Sequence, residues 1–399
     1  MASANATPDD FLSGQGVPVD LHDVEAELTR LWGPAAEQVG GPEQAHPSVT
    51  RIVLANLVVM VRRGRCEAGG LPGVLDTVAA RFPSRTIVLC LGDESGRSVQ
   101  AEVSALCHLP APGLPQVCSE RIVLRAGPEA VGLIPGAVRP LLEAELPFAL
   151  WWTDDPRHHE ALFRDLGDEC TRLILDLPDS ADPAALRLGL DRSVCPFSRD
   201  TAWFGITRWR ELVAQFFDPP CSARMLERID RVRIEATIPG RGTGLPQDPQ
   251  PPRLAIWLAA WLAGQLGWTP EGRPDRQVGR LEATFRGPTG PVGVEIRTEV
   301  TADLDGPQLE TVTLTTRDDT GKGESPDVSG PEVFRLLRAR RALGKVRIEV
   351  DSPSHCNLPR IVLAPELDAA HRVAAALESS RHDPPFQNAL PHALWLIDG

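Results

Sequence analysis

The residues of this chain that could do chemistry do not fall at the spacings which that chemistry needs. His158, His159 and Glu160 are consecutive, whereas a helical zinc site of the His-Glu-x-x-His type has its histidines one helical turn apart. Adjacent histidines on a helix point about 100° apart, so this pair is poorly placed for one metal ion. The stretch from Gly92 to Gly96 does not fit the Gly-x-Ser-x-Gly turn of a serine hydrolase.

Phosphate-binding motifs are also missing from the sequence. No Gly-x-Gly-x-x-Gly follows a predicted strand, so the dinucleotide fingerprint is absent. Lys322 follows a glycine, but no P-loop spacing precedes it. We therefore expect no catalytic residue, no cofactor and no metal ion. An α/β domain without phosphate-binding glycines is better interpreted as a scaffold than as a working cofactor domain.

The eight cysteines are scattered along the chain without a Cys-x-x-Cys pair, which argues against a zinc ribbon or a thioredoxin-like redox site. Free buried thiols are the expectation, and Cys90, inside an apolar run, is a typical case. Cys107-His108 and His355-Cys356 could in principle meet as a four-ligand metal site, although no sequence signal brings them together.

Two neighbouring tryptophans, Trp151 and Trp152, end a predicted strand. Successive side chains of a strand face opposite sides of a sheet, so each ring can fill a layer between the sheet and its helices. Alternatively, their place at the carboxyl end of the strand puts them at a ligand crevice. Asp154 and Asp155 follow at once, and at least one of them is expected to cap a helix that begins near Pro156.

The segment 201–217 predicts one helix with an apolar stripe that includes Trp209. Such a stripe is usually core. Buried aromatics beside arginines also describe a protein–protein hot spot, so contact with a partner or with the other domain is the alternative. The candidate contact residues are Trp151, Trp152, Trp203, Arg208, Trp209 and Arg210.

A basic helix is predicted after Pro331. Its arginines stand out in an acidic chain, and they are interpreted either as a solvated face or as a docking site for an anion or an acidic partner. The candidate residues are Arg335, Arg338 and Arg341.

Composition excludes several classes of protein. The formal net charge of −13 argues against general nucleic-acid binding, which needs a basic footprint, and against adhesion to an anionic membrane. The most apolar stretch, 254–266, is shorter than a membrane-spanning helix and fits a buried core helix. The first residues carry no signal-peptide pattern. We therefore expect a cytoplasmic protein without a membrane segment.

The pattern of elements predicts two domains after a mobile tail at residues 1–20. Strands alternate with helices over residues 21–192, which indicates an α/β domain with a mostly parallel, three-layer sheet. Residues 193–399 read as an α+β domain. Its runs 277–286, 292–300 and 309–315 predict an antiparallel meander, and residues 239–252 predict an exposed linker.

Five segments in order resemble one known family. Residues 146–156 read Leu-Pro-Phe-Ala-Leu-Trp-Trp-Thr-Asp-Asp-Pro, and residues 200–218 carry an aromatic stretch, Trp-Arg-Glu-Leu and a closing Phe-Asp. The other segments are the Pro-Ser-Arg before an apolar run at 83–89, the Cys-x-Glu-x-Ile at 118–122 and the tryptophan-rich helix at 258–268. Together they resemble the OpcA-type glucose-6-phosphate dehydrogenase assembly proteins. The chain departs from the pattern at Phe204-Gly205-Ile206, and it contains no tyrosine.

The resemblance implies a non-catalytic assembly factor. Such a protein binds glucose-6-phosphate dehydrogenase, favours its active oligomer, and tunes the oxidative pentose phosphate pathway and the supply of NADPH. The last cysteine is Cys356, so the sequence does not support redox control through a thiol pair near the C-terminus. The alternative function is a sugar-phosphate or nucleotide-binding module that uses the carboxyl edge of the sheet and the arginine-rich helix. A structural subunit of a different complex is a third.

Overall fold

The computed structural model describes residues 14–37, 49–61, 71–92, 97–109, 111, 116–178, 182–240, 249–301, 304, 306–317, 330–339, 344–353 and 358–398. The chain forms two compact units, Met1–Thr201 with Asp368–Ser379, and Ala202–Leu367 with Ser380–Gly399. The division falls after Thr201, whereas the sequence predicted a boundary at residue 192, and the segment 368–379 returns to the first unit.

The described helices are given first, in chain order. The α-helices are α1 (Val24–Glu37), α2 (Leu71–Arg81), α3 (Ile134–Val138), α4 (Glu160–Glu169), α5 (Pro183–Gly189), α6 (Thr201–Gly205), α7 (Thr207–Gln215), α8 (Pro220–Ala223), α9 (Arg253–Gln265), α10 (Ala369–Glu378) and α11 (Pro384–Asp398). Short 3-10 helices occupy Leu21–Asp23, Pro128–Leu133, Arg139–Leu141, Pro156–His159 and Leu226–Arg228.

A mixed sheet forms the centre of the first unit. Its strands are β1 (Val17–Val19), β2 (Val49–Arg51), β3 (Asn56–Val61), β4 (Arg85–Leu91), β5 (Val99–His108), β6 (Gln116–Ala126), β7 (Phe148–Trp152), β8 (Arg172–Leu175) and β9 (Ser198–Asp200). The strand order is β1-β5-β6-β4-β3-β7-β8-β9, with β2 beside β6. Because β1 pairs with β5, part of the predicted tail is a strand.

The parallel strands of this sheet follow the order of a doubly wound fold. The run β6-β4-β3-β7-β8-β9 is parallel throughout. With β3 as the first of these strands along the chain, the order is that of the dinucleotide-binding α/β folds, and it reverses between β3 and β7. The residues of β3, β4 and β7 are all buried, which explains why these strands are continuous apolar runs in the sequence.

Helix α10 completes the first unit from far along the chain. It packs against α2 and β8. The Arg172 guanidinium of β8 donates to the Ala376 and Ser379 carbonyls, and Arg81 of α2 pairs with Glu378 at 2.9 Å. The first unit therefore contains residues from both sides of the segment 202–367 in the sequence.

The cysteines differ from the expectation of free thiols. Cys107 and Cys118 lie opposite each other on β5 and β6, with their Cα atoms 4.1 Å apart, and form a disulfide. Cys90 is also disulfide-bonded. The register of β5 and β6 brings Cys107 and Cys118 together, and the spacing of these cysteines in the sequence does not reveal it. Cys170 and Cys195 are free and buried.

Metal ligands do not assemble among the described residues. These contain no group of three histidine, cysteine or acidic side chains placed to hold a metal ion. The Cys107 sulfur is bonded to Cys118 and is therefore not a free thiolate ligand. His355 and Cys356 lie outside the described residues.

A largely antiparallel sheet forms the centre of the second unit. Its strands are β10 (Ile229–Pro239), β11 (Thr269–Gln277), β12 (Arg280–Gly287), β13 (Gly290–Thr301), β14 (Gln308–Thr316), β15 (Val333–Arg338), β16 (Lys345–Asp351) and β17 (Arg360–Leu363). The order is β11-β12-β13-β10-β14-β15-β16-β17. Strand β10 lies between β13 and β14 and is parallel to β13. Of the three runs predicted as a meander, β12 and β13 do pair antiparallel, but the third, β14, pairs with β10 instead of β13. Strands β14 to β17 form an antiparallel meander.

The basic helix predicted after Pro331 is also wrong, because this segment is strand β15. Phe334 and Leu336 are buried on one face and Arg335 lies on the other. Pairing with β14 and β16 supplies the hydrogen bonds that a helix would have made internally. Arg341 lies outside the described residues.

Helix α9 is the buried core helix expected for the most apolar stretch. Gly267 adopts φ 63° directly after it, and Trp268 N donates back to Ala263 O at 2.9 Å, which forms a left-handed cap. A Cβ on Gly264 would lie 2.6 Å from Asn388 O of α11, so the two helices can meet only at a glycine. None of the described helices is long and apolar enough to cross a membrane.

The linker predicted at residues 239–252 lies mostly outside the described residues, although Pro251 and Pro252 are described and buried. The single helix predicted at 201–217 is two helices, α6 and α7, which divide at Gly205 and Ile206. Asp182 caps α5 as predicted, since its carboxylate accepts from Ala184 N at 2.8 Å.

Candidate functional site

Carboxylates line the carboxyl edge of the parallel strands in the first unit. Asp154 and Asp155 follow β7, Asp176 follows β8, and Asp200 ends β9. Asp182 caps α5, the helix that follows β8 along the chain. In doubly wound folds this edge receives the ligand, so its charge decides which ligand chemistry fits.

An arginine and a histidine pair with these acids. The Arg157 guanidinium donates to both Asp155 oxygens, from Nε to Oδ1 at 3.0 Å and from Nη2 to Oδ2 at 2.6 Å, and it reaches Asp182 Oδ2 at 3.1 Å. His158 Nδ1 lies 3.1 Å from Asp154 Oδ2. The hydrogen bonds from Arg157 are the main cause that lowers the pKa of Asp155 below its ordinary value. Asp155 therefore stays ionised at neutral pH.

The polar groups around these acids are engaged with the protein itself. Thr201 Oγ1 donates to Asp176 Oδ1 at 2.5 Å, and Asp176 N donates to Trp152 O at 2.9 Å. Thr153 Oγ1 donates to Met60 O at 2.9 Å, which ties the end of β7 to β3. A pyrophosphate needs backbone N–H groups or cations. The described part of this edge presents carboxylates instead, and it does not fit the phosphates of a dinucleotide.

The two tryptophans at the end of β7 are buried in the first unit. Trp151 is 2 % exposed and Trp152 is 0 % exposed. Trp152 packs edge-on against Phe163 of α4, with ring centroids 5.0 Å apart. Among the described residues neither indole N–H has a hydrogen-bond partner. Both side chains fill the core beside the sheet, and a role in partner contact stays a prediction.

Helix α6 places Trp203 in an aromatic cluster of the second unit. Its ring centroid lies 5.6 Å from that of Trp257 on α9 and 5.3 Å from that of Phe386 on α11, and its Nε1 donates to Asp383 Oδ2 at 3.1 Å. The Arg210 Cζ lies 3.8 Å from the Trp203 ring centroid. Burial lowers the pKa of Arg210 to about 10, so this guanidinium remains charged at neutral pH. The cluster joins three helices.

Arg208 and Trp209 point to different surroundings on α7. Trp209 is 3 % exposed, and the Arg338 Cζ lies 5.6 Å from its ring centroid. The Arg208 guanidinium is partly exposed, pairs with Glu211 at 2.8 Å and donates to Leu363 O at 3.1 Å. Among the candidate contact residues on α6 and α7, Arg208 is thus the one that contacts the edge strand β17 of the second sheet.

The two described arginines of the predicted docking patch lie on opposite faces of β15. Arg338 faces the buried side, donates to Leu309 O at 2.8 Å and pairs with Glu366. Arg335 lies on the other side and pairs with Asp351 of β16. These arginines therefore do not form one anion site, because a strand separates residues that a helix would have placed together.

The outer face of the second sheet, opposite its buried apolar side chains, is covered by ion pairs. Glu295 lies at its centre with 11 % of its side chain exposed, and it contacts Arg233, Arg280 and Arg297 at 2.7–2.8 Å. Burial opposes ionisation of this carboxyl, but the hydrogen bonds from Arg297 and Arg233 outweigh it and lower the pKa of Glu295. Neutralised carboxylates of this kind keep the face from being strongly acidic.

Sequence reasoning missed a buried ion cluster at the amino end of the first sheet. Arg85, the first residue of β4, contacts Glu120 at 2.7 Å, Glu25 at 2.6 Å and Glu143 at 2.9 Å. Glu120 is completely buried and also accepts from Arg51 and from Trp32 Nε1. Although burial alone would lower the pKa of Arg85, the three carboxylates raise it. The signal available in the sequence was a charged residue at the start of an apolar run.

A half-buried histidine predicts a dependence of stability on pH. Burial lowers the pKa of His392 on α11 below the ordinary value of 6.5, and its ring centroid lies 5.9 Å from that of Phe285. The unfolded chain then binds the proton more readily, so the stability that this neutral ring contributes is complete above pH 6.5 and is lost as the pH falls through the folded pKa. We expect His392→Phe to flatten the decline of the thermal midpoint below pH 6.5. If the thermal midpoint of the variant declined with pH as steeply as that of wild type, His392 would not be the cause of the decline.

Two family models cover most of the chain. A model described as the glucose-6-phosphate dehydrogenase subunit N-terminal domain, of the OpcA assembly type, matches residues 75–190. A model of the OpcA C-terminal domain of the same subunit matches residues 196–390. The chain belongs to the OpcA family. Both OpcA segments that meet in the buried ion cluster, Pro-Ser-Arg at 83–85 and Cys-x-Glu-x-Ile at 118–122, fall inside the first match.

Cyanobacterial proteins resemble about half of this OpcA chain. The "Putative OxPP cycle protein OpcA" of Nostoc punctiforme is 31% identical over 207 residues, which are 50% of this chain and 42% of that protein. Its counterpart in Synechococcus elongatus is 29% identical over 198 residues, 49% of this chain and 42% of that protein. The match thus spans less than half the length of these curated relatives.

Solved structures of oxidoreductases show a distant likeness. The 3-ketoreductase KijD10 of Actinomadura kijaniata has a TM-score of 0.44 and 14% identity, with 86% of this chain and 96% of that chain covered. An oxidoreductase from Sinorhizobium meliloti has a TM-score of 0.45 and 10% identity, with 86% and 95% covered.

Proposed function

We propose that this chain is a non-catalytic assembly factor that binds glucose-6-phosphate dehydrogenase and favours its active oligomer. It thereby tunes flux into the oxidative pentose phosphate pathway and the supply of NADPH. The observation that carries the proposal is the pair of family matches, which together span residues 75–390 apart from a short gap and which describe the two domains of a dehydrogenase subunit.

The chemistry of the first unit supports a role without catalysis. The strand order is that of a dinucleotide-binding fold, yet the described part of its ligand edge carries Asp154, Asp155 and Asp176. Carboxylates repel the phosphates of NADP or of a sugar phosphate. A fold of this kind whose described ligand edge carries carboxylates is suited to presenting surfaces to another protein.

Activation by such a factor is a shift between states of the enzyme. A partner changes the balance of active and inactive forms only through its different affinity for them, and a tenfold shift needs about 1.4 kcal/mol. An interface of roughly 1,200–2,000 Å² supplies this readily. The proposal therefore requires contact with the dehydrogenase and no chemistry from this chain. Cytoplasmic location is part of the same proposal.

Titration of the purified chain into the glucose-6-phosphate dehydrogenase of its own organism tests the proposal. Enzyme activity and mass by light scattering are followed together, with 6-phosphogluconate dehydrogenase as the control enzyme. We expect activity or oligomer size to rise and to saturate at a fixed ratio. No change in either quantity, under reducing and oxidising conditions, would sink the proposal.

Both supports of the alternative, a sugar-phosphate or nucleotide-binding module, are weakened. The described part of its edge carries carboxylates, and the segment predicted as its arginine-rich helix is strand β15. A thermal-shift screen with glucose 6-phosphate, 6-phosphogluconate and NADP separates the two functions, since a ligand that binds only the native state raises its stability. We expect no shift with the isolated chain.

A further inference from the structure

Large apolar side chains are exposed together at one edge of the second sheet. Leu358 is 88 % exposed, Ile361 63 %, Leu363 66 % and Leu367 37 %. These are half of the eight large apolar residues exposed in the described parts of the chain, and they lie within ten consecutive positions. Scattered exposed apolar residues are ordinary, whereas a contiguous group marks a contact surface.

The backbone of this edge is oriented for a further strand. Lys345 O accepts from Ala339 N at 2.9 Å, so the main-chain groups of Lys345 face β15. Since these groups alternate along a strand, those of Val346 face β17, where its partner in the register is Val362. The main-chain groups of Val362 therefore face β16, and those of Ile361 point away from the sheet.

One of the outward groups is already in use, which confirms this orientation. Leu363 O accepts from the Arg208 guanidinium, Nη2–O at 3.1 Å. The N–H and C=O of Ile361 and the N–H of Leu363 complete the outward set. An edge strand that presents unpaired main-chain N–H and C=O groups beside apolar side chains can pair with an extended segment of another chain.

The charge around this edge selects the kind of segment that fits. Lys345 and Arg347 lie opposite Leu363 and Ile361 in the register, and Arg360 begins β17. All three are exposed, and neither Lys345 nor Arg360 forms an ion pair with another described residue. A cationic rim on a chain of net charge −13 favours an acidic segment.

The same charges disfavour a second copy of this chain. Two-fold pairing of β17 with itself would bring two such sets of cations into one sheet, where like charges repel each other. The occupant therefore differs from β17 in charge.

We infer that strand β17 is the docking edge for an extended, acidic segment of the dehydrogenase, which adds to the second sheet as a further strand. Apolar side chains of that segment contact Ile361 and Leu363. Its carboxylates on the same face lie near Lys345 and Arg347, and those on its other face lie near Arg360. This inference rests on the proposed function and adds to it the surface and the chemistry of the contact.

Three variants of the full chain test the parts of this contact separately. Ile361→Pro removes the outward N–H and leaves the hydrogen bonds with β16 intact. The double variant Ile361→Thr/Leu363→Thr removes the apolar contact and keeps β-propensity. Lys345→Glu/Arg360→Glu reverses the charge. We expect each to raise the Kd for the dehydrogenase at least tenfold, and the charge reversal to remove most of the salt dependence of binding.

Val278→Thr is the matched control, because Val278 is 71 % exposed in the turn between β11 and β12 at the opposite edge of the same sheet. It should bind like wild type, and circular dichroism should show all variants folded. Wild-type affinity in all three variants would overturn the inference and leave the proposed function intact, whereas a wild-type chain that does not bind the dehydrogenase overturns both. A wild-type dimer that Ile361→Pro converts to a monomer would assign the edge to a second copy instead.

Discussion

Arg85→Met should lower the free energy of unfolding of the first unit by about 3 kcal/mol or more, because it leaves a buried carboxylate without its buried cationic partner. Glu120 is completely buried, and Arg85 contacts it at 2.7 Å. Arg51 and Trp32 still hydrogen-bond Glu120 in the variant, which places the expected loss at the lower end of the range of about 3–5 kcal/mol for a broken buried pair. Methionine keeps most of the volume, so a cavity contributes little.

Hydrogen exchange measured by mass spectrometry checks this result unit by unit, since a chain of two units need not unfold in one step. Arg97→Met is the control. Arg97 pairs with Glu129 at 2.8 Å, as Arg85 does with its acids, but its side chain is 89 % exposed. Exposed pairs contribute little, so this variant should match wild type. Equal effects of the two substitutions would show that the buried cluster is not a major source of stability.

Trp203→Ala should destabilise the second unit by about 3–5 kcal/mol, the usual loss for removing a large buried aromatic side chain. The Trp203 ring contacts Trp257, Phe386 and the Arg210 guanidinium, so its loss opens a cavity between α6, α9 and α11. It also leaves the buried Arg210 charge without the face of its aromatic partner. Chemical unfolding followed by exchange in α9 and α11 measures the effect.

Trp203→Phe separates packing from hydrogen bonding in this cluster. Phenylalanine keeps a ring against Trp257 and Phe386 but loses the bond from Nε1 to Asp383 Oδ2. We expect about 1–2 kcal/mol of destabilisation, close to one hydrogen bond plus a small loss of volume. A phenylalanine variant as unstable as the alanine variant would place the stability in the hydrogen bond rather than in the aromatic contacts.

Local signals predicted the parts of this fold that local energies decide. The strand predicted to end at Trp151 and Trp152 is observed as β7, because a continuous apolar run bounded by polar residues has one good solution beside helices. The cap at Asp182 and the turn at Gly267 follow from side-chain and backbone preferences of single residues. Tertiary context is not needed for either.

Contacts between distant segments decided the parts that the sequence did not predict. The segment of Arg335 has arginines at helical spacing, yet pairing with β14 and β16 makes it a strand. Cys107 meets Cys118 only through the register of β5 and β6. The cluster of Arg85 and Glu120 unites two segments of the family pattern, which therefore mark a buried ion pair. Whether the tryptophans and Arg208 contact a partner stays a prediction.

The return of helix α10 to the first unit affects how the chain can fold during its synthesis. Residues 202–367, which belong to the second unit, leave the ribosome before the segment 368–379 that packs on α2 and β8. In the usual vectorial order an N-terminal domain finishes folding before the next domain begins. The first unit of this protein cannot follow that order, because part of it is synthesised after residues 202–367. A nascent chain stopped anywhere before residue 368 lacks α10, so α2 and β8 are without the helix that packs on them in the folded first unit.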